Sequence, residues 1–125
     1  MVTLNLCTAI ITAAGSGSRM GGEIKKQFRL LEGIPIIIRT LEPFFASPLV
    51  TNMIVTAPEE DVEYCKDVIL EFFEPAEKPF LVIAGGIERQ DSVFGALQCC
   101  PKGTEVVFIH DAVRPFISLD RKSVV

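Results

Sequence analysis

The chain has no tryptophan, a single tyrosine and a single histidine among its 125 residues. Its four cysteines (Cys7, Cys65, Cys99 and Cys100) include no Cys-x-x-Cys pair. With His110 as the sole imidazole, a zinc site would have to draw on distant thiols, and no partner for a nucleophilic triad is apparent. The thiols are expected to be free and buried, in a reducing cytosol. Basic residues are also in deficit, twelve Lys and Arg against sixteen Asp and Glu, for a formal net charge of -4. A nucleic-acid-binding module is disfavoured, because such domains usually carry a basic footprint. No apolar run of about 20 residues is present, and no basic segment precedes the apolar start from Val2 to Ala14. Neither a membrane span nor a secretory leader is expected; a soluble, cytoplasmic protein is.

What is present is one domain's worth of apolar sequence, 49% hydrophobic, broken at regular intervals by glycine and proline. Residues 6–12 form a short apolar run that stops at Gly15 and Gly17, as a strand buried on both faces would before a glycine-rich loop. Residues 26–31 read as a short extended segment closed by Gly33. Pro35 opens a helix on which Ile37, Leu41, Phe44 and Phe45 recur at helical spacing, and Ser47-Pro48 ends it. Residues 52–56, 80–84 and 105–110 repeat the strand pattern. Between them, residues 59–73 are predicted helical, with Val62, Cys65, Ile69 and Phe72/Phe73 on one side, and a further helix is capped near Asp91 and runs through Leu97. Ser118 to Asp120 look like the cap of one more helix. Strand alternating with helix predicts an α/β fold, a Rossmann-like parallel sheet with helices on both faces and residues 1–125 in a single domain. Ligands of such sheets sit outside the C-terminal strand ends.

Three motifs fall at those ends. The first runs Ala13-Ala14-Gly15-Ser16-Gly17-Ser18-Arg19-Met20, with Lys25-Lys26-Gln27 after it. Its glycines let the backbone approach a phosphate, and Arg19 with Lys26 can neutralise a triphosphate and the charge that grows when its α-phosphorus is attacked. Met20 stands where a dinucleotide fingerprint needs its third glycine, which disfavours a nicotinamide dehydrogenase, and no Gly-Lys-Ser/Thr follows as a P-loop requires. The second is Gly85-Gly86-Ile87-Glu88-Arg89-Gln90-Asp91-Ser92, a tight turn whose amides and hydroxyl suit the edge of a base. The third is His110-Asp111-Ala112-Val113-Arg114-Pro115. Here Asp111 can hold Mg²⁺ together with substrate phosphates, Arg114 can pair with that aspartate or a phosphate, and His110 reads as a strand-end residue rather than a catalyst.

In this order and spacing the three stretches resemble the 2-C-methyl-D-erythritol 4-phosphate cytidylyltransferases, a nucleotidyltransferase family. The resemblance implies transfer of CMP from CTP to the methylerythritol phosphate, with release of pyrophosphate. It implies that Arg19 and Lys26 grip the triphosphate and stabilise the transition state. Ala14, Gly15, Gly85 and Ser92 would hold cytosine and ribose, with Ser16, Gly17, Gly86, Arg89 and Arg114 completing the substrate contacts. Asp111 would stand at the Mg²⁺ and acceptor end, and the whole protein would be a homodimer. Lys25 takes the place of the proline that the family usually carries before Lys-Gln. The family's domain is longer than 125 residues, so the chain is expected to be its nucleotide-binding part, with an incomplete acceptor pocket. A ribitol 5-phosphate cytidylyltransferase and a non-catalytic CTP-binding module are the alternatives.

Overall fold

The computed structural model describes residues 6–13, 28–73, 78–86 and 89–111. Four strands make a parallel sheet: β1 (Leu6–Thr12), β4 (Asn52–Ala57), β5 (Phe80–Ala84) and β6 (Thr104–Asp111), in the order β5-β4-β1-β6. A two-residue hairpin, β2 (Leu30–Leu31) with β3 (Ile34–Pro35), turns through Glu32 and Gly33, both at positive φ. It leads into α1 (Ile36–Ala46); α2 is Val62–Phe72 and α3 is Arg89–Gln98.

Alternation along β1 sends side chains to opposite faces, which is why one apolar run serves two cores. Cys7, Ala9, Ile11 and Ala13 join Met53, Val55 and Ala57 under α1 and α2, where Ile37, Leu41, Phe44, Phe45, Cys65 and Ile69 are buried. On the other face Ile10 and Ile54 pack with Val107 and with Ala96 of α3. The expected coverage of both faces is therefore present. The face under α3 is the thinner one, and Leu81 of β5 and Phe94 and Leu97 of α3 stay exposed.

Local departures from the sequence pattern have visible causes. Residues 59–73 are not one helix: Glu59–Asp61 form a 3₁₀ turn after Pro58, and the α-helix starts at Val62. Phe72 does not join the buried stripe with Cys65 and Ile69; it is exposed, while Phe73 at the helix end stacks on Phe45 with ring centroids 4.0 Å apart. Asp91 lies inside the first turn of α3, which opens at Arg89, so the cap expected there is an in-helix acid favoured by the dipole. Of the described residues in the short extended segment, Leu30 and Leu31 pair as strand, and Phe28 before them is buried edge-on against Tyr64 at 4.9 Å.

Pro43 sits inside α1 and removes one N–H from its last turns. Lys78, on the connection into β5, caps the C-terminal end of α1 by donating its ammonium to the carbonyls of Phe44 and Ser47. The cysteines are free thiols, as expected, but only Cys7 and Cys65 are buried. Cys99 is exposed and Cys100 half-buried. Burial pushes the Cys65 thiol up to about 12, with the charge of Asp61 adding to it, so this sulfur is inert at neutral pH.

Candidate functional site

The register brings the strand ends to one level. Thr12 pairs with both Thr56 and Asp111, and Thr56 with Ile83. Two further bonds extend the ladder by one residue at the same edge: Ala13 N–H donates to Thr56 O and Gly85 N–H to Ala57 O, each at 2.8 Å. The segments that carry the three motifs thus leave the sheet side by side. With neighbouring strands about 4.8 Å apart, Gly85 and Asp111 stand about 14 Å from one another along this edge. Ala13, where the glycine-rich segment begins, lies between them.

At the β5 end the double-glycine turn is clamped to α3. Gly86 N–H donates to Ser92 Oγ at 3.0 Å, and Ser92 is only 1% exposed. A Cβ on Gly86 would lie 2.2 Å from Asp91 Cβ, so glycine is required by space. Ser92, expected to show its hydroxyl to a base, also uses that oxygen to hold the turn. Gly86→Ala is expected to push the turn away from α3 and destabilise the fold by about 1–3 kcal/mol, the usual effect of overpacking. Chemical denaturation measures this directly, and an unchanged midpoint would mean that the turn relaxes freely.

At the β6 end Asp111 is half-buried and closes its strand, while His110 is buried with its ring 5.7 Å from that of Phe44 on the α1 face. That packing suits the expectation of a structural histidine. No group of three or more His, Cys, Asp or Glu gathers into a metal cage among the described residues. Of the other residues expected in the site, Ala14, Gly15, Ser16, Gly17, Arg19, Lys26 and Arg114 lie outside the described residues, and Arg89 is described only as the first residue of α3. The structure thus joins Gly86 to Ser92, aligns Gly85 with Ala13 and Asp111, and adds two buried hydroxyls, Thr12 and Thr56, at the same level. Hydroxyls interrupting otherwise aliphatic strands were the sequence signal for these two.

A parallel sheet in this order, with a glycine turn at one end of its C-terminal edge and a carboxylate at the other, defines an α/β domain of the nucleotidyltransferase type. A profile of the 2-C-methyl-D-erythritol 4-phosphate cytidylyltransferases matches residues 7–124. The chain belongs to that family. It is 44% identical over 116 residues to the family's protein from Geobacter metallireducens, covering 90% of this chain and 49% of the relative. The structure of the 4-diphosphocytidyl-2C-methyl-D-erythritol synthase of Anaerococcus prevotii superposes with a TM-score of 0.76 at 26% identity, over 94% of this chain and 48% of that one. The Francisella tularensis cytidylyltransferase gives 0.70 at 30% identity, over 93% and 48%. The chain therefore spans about half the length of the relatives it matches.

Proposed function

We propose that these residues form the CTP side of a cytidylyltransferase that transfers CMP to 2-C-methyl-D-erythritol 4-phosphate. The observation that carries the reading is that Ala13, Gly85 and Asp111 end their strands at the same edge of the sheet, within two residues of one level. Base and ribose would lie at the glycine turn of β5, the triphosphate over the segment that follows β1, and the acceptor toward β6. An acceptor phosphate oxygen attacks the α-phosphorus in line and pyrophosphate leaves, with no covalent enzyme intermediate. Arg19 and Lys26 neutralise the charge on the pentacoordinate phosphorus, so that positioning and electrostatics supply the rate.

Asp111 suits Mg²⁺. A half-buried carboxylate at the end of a strand suits an ion that takes one or two carboxylates and fills its remaining positions with phosphate oxygens and water. Bound there, the ion would supply charge neutralisation on the triphosphate. The reading extends to a cytoplasmic homodimer. No helix among the described residues is long and apolar enough to cross a membrane.

Calorimetric titration of the chain with CTP and ATP, at matched Mg²⁺, tests the nucleotide. Acceptor choice is tested in a chimera in which these residues replace the matching half of the Geobacter metallireducens relative, by pyrophosphate release with methylerythritol phosphate or ribitol 5-phosphate. Preference for CTP, and release with the first acceptor, are expected. Equal affinity for the two nucleotides removes the cytidine assignment, and faster release with ribitol 5-phosphate moves the acceptor.

A further inference from the structure

Thr56 is fully buried, and among the described residues its Oγ1 meets no hydrogen-bond partner. Its place in β4 fixes where that hydroxyl points. Met53, Val55 and Ala57 face α1 and α2 while Ile54 faces α3, so Thr56 also faces α3. Thr12 does the same in β1, two residues after Ile10, and the two threonines are register partners.

What lies above them follows from α3. Ala96 packs on the level of Ile10 and Ile54. The helix returns from the C-terminal ends of the strands to their N-terminal ends, because it connects β5 to the parallel β6. Ser92 is one turn earlier on the same helix face, about 6 Å nearer the strand ends, and a step of two strand residues covers a similar distance. Ser92 therefore stands over the Thr12–Thr56 level, and it is equally buried. Its oxygen already accepts the Gly86 N–H, and among the described residues the Thr12 hydroxyl makes a long 3.4 Å bond to His110 O.

We infer that Thr56 is a positioning residue for the nucleotide-side turn, acting through one buried water that joins its hydroxyl to Thr12 and Ser92. An unmet buried hydroxyl is destabilising, and a water with two to four polar partners removes that cost. These three side chains supply the partners from two strands and a helix. Because Ser92 holds the Gly86 N–H, the water ties the end of β4 to the height and tilt of the double-glycine turn. The functional part of the inference rests on the reading of that turn as the CTP side of the site.

Thr56→Val keeps the shape and removes only the hydroxyl. It is expected to lower the melting temperature and to raise the Kd for CTP roughly fivefold, the worth of one hydrogen bond. Thr56→Ser, which restores the hydroxyl, is expected to keep the Kd of the unmutated chain. A high-resolution crystal structure should show the water within hydrogen-bonding distance of Thr56 Oγ1. A melting temperature at or above that of the unmutated chain overturns the inference, because it shows a hydroxyl that merely costs stability. A lower melting temperature with an unchanged Kd overturns it too, since Thr56 then supports the fold alone. If the unmutated chain binds no CTP, the assignment of the nucleotide site fails separately, and the melting shift and the crystallographic water still decide the bridge.

Discussion

Replacing Arg19 or Lys26 by alanine in the full-length chimera is expected to cut kcat by roughly 10²–10³ and to leave the melting temperature unchanged. In-line attack on an α-phosphorus concentrates negative charge on the equatorial oxygens, and little covalent chemistry is left for the protein to perform. Donors aimed at that charge act in the transition state more than in the ground state, so kcat should fall further than KM rises. Both cations follow β1 in sequence, and β1 is the inner strand whose end lies between the glycine turn and Asp111. Steady-state kinetics at saturating Mg²⁺ measures the split. If both variants kept near-normal kcat, the charge would have to be met by other groups, with Arg89 and Arg114 next to be tested.

The 125 residues by themselves are expected to bind CTP weakly and to release no pyrophosphate. They match about half the length of their relatives, and an acceptor pocket is expected to draw on more of that length. β6 adds a reason for poor behaviour. Among the described residues its one strand neighbour is β1, so β6 is an edge strand of the sheet. Val106 and Ile109 are partly exposed on its two faces. Such an edge invites pairing with a second copy. Sedimentation velocity should show self-association that the chimera lacks, while a pyrophosphate assay stays at background. A monomer turning over at an ordinary enzymatic rate of about 1–10³ s⁻¹ would mean that these residues are sufficient for catalysis.

The parallel sheet was readable because strands buried on both faces are nearly pure apolar runs. Residues 6–12 and 80–84 begin and end as the pattern predicts. Helix starts were harder to place. Pro58 and three successive acids suit a tight 3₁₀ turn as well as an α-helical first turn, and periodicity does not distinguish the two at that length. Asp91 was a credible cap by residue type, yet the chain becomes helical two residues earlier. In the site, spacing alone could not show that Ser92 holds the turn. The 3.0 Å bond from Gly86 does show it, and the 2.2 Å approach to Asp91 gives the reason for glycine. Thr56 was hidden because a threonine in a β-strand is ordinary by propensity. Its interest appears only once burial and the missing partner are known.

The order β5-β4-β1-β6 also sets a timetable for synthesis. β1 leaves the ribosome first and pairs with β4 some forty residues later, but its other neighbour begins only at Thr104. At ordinary translation speeds the gap between Thr12 and Thr104 lasts on the order of ten seconds. Throughout that interval one edge of Leu-Cys-Thr-Ala-Ile-Ile-Thr, aliphatic on both faces, waits with its backbone groups open. A nascent chain of this topology therefore offers a chaperone one well-defined adhesive segment, and it offers that segment before the Asp111 end of the site exists.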